Sequence, residues 1–474
     1  MTDPETAQRE TTQRTSPIIV LGSALIVAAT GLGVTFRSLK PLDDPDTLWH
    51  LLLGRHLLET WDFGPTDPLS PLSTQPWVYN QWVPEVVAAL AERVGGLPAV
   101  AWLMVLGRML LLFALWWVCR RHAGPAAGMF AAVVSFLATY PATAARPQLA
   151  GLILLVVAVG AAHRTMEDGR PRWWLVPFTW VWANVHGAWL FGVALLVAVA
   201  VGQLLDRRGD PARRHLARFA LPLACLAVAG LTPVGPRLLL AYLHVDGIKD
   251  HIQEWQPGSR ANLAFLVLLV AIVLVLLIWL RRGHRPTWSQ LAIMAFTLAC
   301  LVLYLRTISI GAIVLAPLLA GAVQMLVPGG WAPPRRREGA VVVAGLVLAL
   351  LLAAVRLPVE ASEPGGRPLG LAPHLAALPP QVVFNEHGDG GWIEWAFPHL
   401  VPVIDTRSEV FGEEYLLAFA DTLDAKPGWQ EWMAGSGARS ALLAEDQPLA
   451  GVLRDQWGWR ETARDDGYVL LQAP

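Results

Sequence analysis

The sequence predicts an α-helical polytopic membrane protein of about eleven transmembrane helices, with a small C-terminal α/β domain outside the membrane. Three observations predict it. Of 474 residues, 54% are hydrophobic and only 15% charged, whereas a soluble chain of this size carries about 25% charge. Apolar runs of membrane-span length recur between residues 17 and 356. The remainder, residues 357–474, is acidic and water-compatible, with 18 Asp and Glu against 7 Lys and Arg in a chain of net charge −1. The apolar body is therefore basic. These features exclude a single soluble globular protein, a disordered chain and a collagen. Nucleic acid is excluded as a partner because the basic charge lies on the apolar body and not on a soluble domain. Cys119, Cys225 and Cys300 are scattered through apolar segments, which gives neither a disulfide framework nor a zinc site. The 22 tryptophans suit aromatic belts at two membrane interfaces.

Residues 1–16 read as a polar cytoplasmic tail. Apolar spans are predicted near 17–36, 98–118, 124–140, 148–163, 173–184, 188–205, 217–231, 263–280, 287–304, 307–327 and 339–356. The first reads as an uncleaved anchor, because many spans follow it and no cleavage site ends it. With the N-terminus inside, the predicted cytoplasmic connections hold sixteen arginines, among them Arg120-Arg121, Arg281-Arg282 and Arg335-Arg336-Arg337. The short outer connections hold only Arg146, Arg237, Lys249, Arg260 and Arg306. That asymmetry satisfies the positive-inside rule and places the C-terminus outside. Two outer segments, 37–97 and 232–262, are too long and polar to be plain turns, and long loops in compact proteins carry function.

The stretch 357–380, rich in Pro, Gly and Ala, reads as a linker to a domain over 381–474. Val382–Phe384, Val401–Ile404, Ala441–Leu443 and Tyr468–Leu471 are predicted strands. Gly412–Leu423 and Pro448–Asp455 are predicted helices. Strands alternating with helices imply a compact α/β fold. Asn385-Glu386-His387-Gly388-Asp389-Gly390-Gly391 lacks the spacing and the Lys of a Walker loop and reads as a tight strand-to-helix turn. Asp405-Thr406-Arg407 reads either as an internal ion pair or as part of an acceptor surface.

The densest chemical signal is Asp43-Asp44-Pro45-Asp46-Thr47-Leu48-Trp49-His50, directly after the first span. Three carboxylates in four positions repel one another and need a cation, a proton or a reacting partner. Pro45 breaks the helix. A mostly apolar helix follows over 48–58, with a composition suited to lying in the membrane interface. An acidic N-cap for that helix is the alternative explanation of the cluster.

These residues resemble a known family. Asp44-Pro-Asp46, then Trp49-His50-Leu51, Gly54-Arg55, Asp67-Pro68-Leu69-Ser70 and Trp77 through Glu85 look like the first outer loop of the GT-C glycosyltransferase superfamily. Its members are polytopic enzymes that use polyprenyl-phosphate-linked sugars, related to the protein O-mannosyltransferase and aminoarabinose transferase group. Bacterial members of this type share a tail pattern similar to Phe384-Asn385, Gly390-Gly391-Trp392-Ile393, Trp395, Pro398 and Ile404-Asp405-Thr406-Arg407. The resemblance implies a GT-C-like transmembrane domain over 17–356 in a bacterial cytoplasmic (inner) membrane. It implies sugar transfer from a polyprenyl phosphate to a glycan, lipid or protein acceptor at the outer face.

Such chemistry needs a base for the acceptor hydroxyl and cations for the departing phosphate. Asp46 is expected as the base, with Asp44 as its partner or as a metal ligand. The family's usual acidic pair is adjacent, so Asp-Pro-Asp leaves the roles of the two open. Both are also candidate ligands for Mg²⁺ or Mn²⁺, which favour hard oxygen donors. His50, Asp67, Glu85, His186, His251 and Glu254 are candidate substrate-binding residues on the outer side. For each histidine taken alone, a structural or interfacial role is the competing explanation. Arg146 and Arg306, at the outer ends of spans, are candidates for the phosphate, with snorkelling to the interface as the alternative. A lipid-linked-sugar flippase is the rival function. It predicts charges midway along the spans and repeated halves, and neither is visible. A catalytically silent GT-C-like scaffold is the second rival.

Overall fold

The computed structural model of the chain describes residues 16–241, 255–259, 261–327 and 333–474. The predicted candidates His251 and Glu254 lie outside them. The helices begin with α1 (Pro17–Ser38), α2 (Asp46–Thr60), α3 (Trp82–His122), α4 (Pro125–Thr139), α5 (Pro147–Asp168), α6 (Leu175–Ala183), α7 (Trp189–Asp206), α8 (Ala212–Ala229) and α9 (Arg237–Ala241). They continue with α10 (Leu263–Arg282), α11 (Trp288–Leu303), α12 (Ile308–Gln324) and α13 (Arg336–Glu360). The C-terminal part adds α14 (Ala372–Ala376), α15 (Gly390–Ala396), α16 (Ser408–Phe411), α17 (Glu413–Leu423), α18 (Trp429–Ser436) and α19 (Pro448–Asp455).

The chain divides into two compact units. The first comprises the described residues of Met1–Lys40, Ala101–Thr232 and Gln253–Glu360. Every predicted apolar segment is helical, but among the described residues only eight helices are long and apolar enough to cross a membrane. The expected eleven is not confirmed, since α6, α8 and α11 fall outside these eight. At 1.5 Å per residue, the nine residues of α6 rise about 13 Å, far short of a hydrocarbon core of about 30 Å. The 16 residues of α11 also fall short. The first turns of α8 carry Arg213, Arg214 and Arg218, which shortens its apolar part.

Local chemistry sets the helix ends. Proline occupies the first turn of α1, α4 and α5, where its missing N–H costs nothing. Asn262 caps α10, and Thr287 with Gln290 forms a capping box on α11. α3 breaks at Gly95-Gly96, where Gly96 adopts φ 64°, and Pro98 follows. α12 is buried nearly all round, with α4, α5, α10 and α11 against it, as a uniformly apolar helix requires. Arg120 of α3 forms a fully buried ion pair with Glu338 of α13 at 2.5 Å.

The second unit comprises Pro41–Val100, the described part of Pro233–Ile252, and Ala361–Pro474. The segment 37–97 is therefore no free loop, since nearly all of it belongs to the compact body that contains the tail. The sheet consists of β1 (Gln381–Asn385), β2 (Leu400–Pro402), β3 (Ala438–Ala444), β4 (Arg460–Asp465) and β5 (Tyr468–Gln472). Its strand order is β2-β1-β3-β5-β4. β1 runs parallel to β2 and β3, and β5 runs antiparallel to β3 and β4. The predicted strands are all present. β4 was missed because four of the six residues of Arg460–Asp465 are charged, a common way of protecting a sheet edge. The predicted linker is shorter than expected, since α13 runs through Glu360 and α14 fills 372–376.

The turn after β1 is as tight as its glycines imply. A Cβ at Gly390 would stand 2.0 Å from the Ile404 carbonyl oxygen. Gly390→Ala should therefore destabilise the protein by about 1–3 kcal/mol, as overpacking does. Gly451→Ala in α19, with nothing within 4 Å of the new Cβ, serves as control and should be neutral or slightly stabilising in the same thermal melt.

Candidate active site

The acidic motif starts α2. Asp44 Oδ1 accepts a hydrogen bond from the Asp46 backbone N–H at 3.0 Å, an Asx turn leading into α2, while the N-cap position itself is Pro45, which offers no capping side chain. Asp46 is thereby placed in the first turn, half-buried, where the helix dipole favours a carboxylate. Thr406, in the turn after β2, donates its hydroxyl hydrogen to Asp46 Oδ1. The Thr406 hydroxyl oxygen in turn accepts a hydrogen bond from Trp49 Nε1 at 2.9 Å. One hydroxyl thus ties together the two segments that carry the family resemblance.

Arg407, the next residue, is fully buried. Its Nε and Nη2 bind Asp405, with Nη2 at 2.6 Å from Oδ2, and its Nη1 meets Asp67 Oδ1 at 2.5 Å. Both carboxylate partners are also fully buried. Burial works against the guanidinium charge, but Asp405 and Asp67 outweigh it and raise the Arg407 pKa. The ring centroids of Trp77 and Trp49 lie 5.4 and 6.0 Å from its Cζ, within cation–π range. Of the two meanings open for Asp405-Thr406-Arg407, the internal ion pair is the one observed. Asp67 also accepts from the backbone N–H groups of Leu69 and Ser70, both at 3.2 Å. Expected as a substrate-binding residue, it is committed to the protein interior.

Glu394 of α15 is buried against this cluster, and neither of its carboxyl oxygens has a hydrogen-bond partner among the described residues. Burial first, then the Asp405 charge, pushes it well above the usual carboxylate range despite the opposing pull of Arg407. Asp389, ion-paired with Arg367 at 3.0 Å, is raised to about 6, chiefly by burial.

One helical turn after Asp46, His50 Nδ1 lies 2.8 Å from Glu85 Oε1. Glu85 is wholly buried, and its second oxygen has no partner among the described residues. This buried pair joins α2 to the start of α3. Gly54 makes the approach possible, since a Cβ there would stand 2.1 Å from the Glu85 carbonyl oxygen. Glu92 binds Arg55 of α2 and Trp395 of α15 at 2.6 and 2.7 Å. The apolar side of α2 is therefore covered by protein, and the interfacial placement expected for this helix is not needed to bury it.

Arg146, His186 and Arg306 belong to the membrane unit. Arg146 is half-buried immediately before α5. The Ala188 N–H donates to His186 Nδ1 at 3.1 Å, which leaves Nε2 as the protonated nitrogen of the neutral ring. Arg306 stacks over Trp255 at 4.8 Å. Among the described residues no group of three or more His, Cys, Asp and Glu is placed to hold a metal ion. Sequence reasoning missed Thr406, Arg407 and Glu394 as parts of the site. The Asp-Thr-Arg run was visible, but its partners lie more than 300 residues away.

Glu394 gives a pH test. In the unfolded chain its carboxyl ionises near its ordinary value of 4.5, while in the folded chain it stays protonated well above that. Folding stability should therefore fall as pH rises above about 4.5. Glu394→Gln should remove this slope, and its advantage over the wild type should grow from pH 5 to pH 8 in chemical denaturation. A constant difference across that range would refute a protonated Glu394.

No family model matches the sequence, and no curated protein matches it. Solved structures do. The Archaeoglobus fulgidus oligosaccharyltransferase in its apo form superposes with TM-score 0.58 at 12% identity, over 91% of this chain and 70% of that one. The same archaeal enzyme, AglB, in complex with an inhibitory peptide and a dolichol-phosphate matches with TM-score 0.58 at 12% identity, over 90% and 69%. ArnT from Cupriavidus metallidurans bound to undecaprenyl phosphate matches with TM-score 0.57 at 16% identity, over 96% and 98%. Both are GT-C glycosyltransferases. At these identities the likeness establishes architecture: the chain is a multi-pass membrane protein with the GT-C glycosyltransferase fold.

Proposed function

We propose that the protein is a membrane glycosyltransferase that moves a sugar from a polyprenyl-phosphate donor to an acceptor hydroxyl at the outer face of the cytoplasmic membrane. The observation that carries this reading is Asp46, a half-exposed carboxylate in the first turn of α2, oriented by Thr406 within a GT-C fold. Asp46 takes the acceptor's proton as its oxygen attacks the anomeric carbon. The bond from that carbon to the phosphate oxygen breaks, and polyprenyl phosphate departs as an anion. Arg146 and Arg306 are the cations assigned to it. Asp44 supports the geometry by accepting the Asp46 backbone N–H. His50 and Glu85 brace the helix that carries the base, one turn further on. The neighbours' bound dolichol-phosphate and undecaprenyl phosphate support the donor class. The N-terminus is assigned to the cytoplasm and residues 381–474 to the outside, on the arginine asymmetry.

Asp46→Asn should lower turnover by a factor of about 10²–10⁴, the usual range for a general base, while membrane insertion and melting temperature stay close to wild type. Unchanged turnover would remove Asp46 from that role.

Thr406 acts through Asp46 and is a positioning residue. Its hydrogen bond fixes the direction in which the carboxylate faces. Thr406→Val should lower kcat by about tenfold, the size of a lost hydrogen bond to a charged group, with KM and melting temperature little changed. Thr406→Ser should restore kcat. A Val variant that loses melting temperature along with rate, or that Ser fails to rescue, would assign Thr406 a merely structural role.

A further inference from the structure

A groove of about 670 Å³ lies between α3 and α5, near the ends where both helices finish. Its deeper part is apolar, formed by Trp117 and Val118 on one side and Val156 and Val157 on the other. Its mouth carries Arg121 and Arg164. Both arginines are exposed, and neither forms an ion pair among the described residues. The acid at the mouth, Glu167, faces His122 at 3.5 Å, and Asp168 is taken by Arg172 at 2.7 Å. Arg121 lies over the Trp117 ring at 5.1 Å, and Arg164 donates to the Gly160 carbonyl at 3.3 Å, so both are held at the groove.

We infer that this groove binds an anionic glycerophospholipid, with the phosphate at Arg121 and Arg164 and the upper acyl chain along Trp117, Val118, Val156 and Val157. Charge complementarity selects the head group, because two cations without acidic partners share one mouth. The apolar body selects a lipid over a free phosphate. His122 and Ala114, the ends of the α3 lining, are eight residues apart, a rise of about 12 Å running from the helix end into membrane depth. Trp117 and Val157 are 40% and 37% exposed, and an acyl chain covers side chains of that kind. Basic pockets between membrane helices commonly hold lipid head groups. This site is independent of the proposed transferase reaction.

Native mass spectrometry of the purified full chain, titrated with phosphatidylglycerol and with phosphatidylcholine, tests the assignment. Wild-type protein should prefer phosphatidylglycerol. The Arg121→Gln/Arg164→Gln double variant should lose about 30-fold in phosphatidylglycerol affinity, roughly fivefold per arginine, with phosphatidylcholine binding unchanged. Equal binding of the two lipids by the wild type, or undiminished phosphatidylglycerol binding by the variant, would overturn the proposal. Inorganic phosphate that displaces phosphatidylglycerol completely would overturn the choice of a lipid. A photoactivatable phosphatidylglycerol applied to the unmodified protein requires no variant. It should label peptides 114–122 and 156–167, and labelling confined to other segments would contradict the site.

Discussion

The second unit depends on one buried cation. Arg407 has no route to water, so its charge is tolerable only if partners match it from within. Asp405 supplies one, two residues away on the same turn. Asp67 supplies the other from the segment after the first membrane helix. Removing either carboxylate would leave the guanidinium undercompensated, which is how buried ion pairs constrain a fold whether or not they add net stability. Several other features follow from this anchoring. Trp49 and Trp77 pack over the guanidinium, and Thr406 is held one residue away facing Asp46.

Much of this was legible in the sequence. The apolar runs gave every membrane helix its place, because a hydrocarbon core admits little besides long apolar helices. The strands near Val382–Phe384, Val401–Ile404, Ala441–Leu443 and Tyr468–Leu471 were equally plain as short apolar segments. The acidic motif and the Asp-Thr-Arg turn were both visible as unusual. Their meeting was not, because a contact between residues 46 and 406 leaves no periodic or spacing signal. The same reason hid Glu394, whose burial depends on neighbours distant in sequence. The charged strand Arg460–Asp465 was missed on pattern, since edge strands need not alternate apolar and polar residues.

Hydropathy reports apolarity and not helix length, so three of the eleven predicted spans are not matched by a helix long and apolar enough to cross a membrane among the described residues. The short α6 packs with α8 through Leu175, Leu221 and Cys225, an apolar cluster filled by protein contacts. Charge counting has a parallel limit. Arg120 contributed to the cytoplasmic tally, yet it is buried against Glu338, and Arg218 is ion-paired with Asp210. Arg121 and Arg164, by contrast, keep their charge exposed, and they frame the proposed lipid groove.

The functional account rests on donor chemistry, so the most direct measurement is release of polyprenyl phosphate from a panel of polyprenyl-phosphate sugars. The purified chain would be assayed in liposomes with added acceptors. Release that accompanies sugar transfer and is lost in the Asp46→Asn protein is the predicted result. Binding of the donors without release, equal in the wild type and that variant, would contradict the transferase and favour a carrier of lipid-linked sugars.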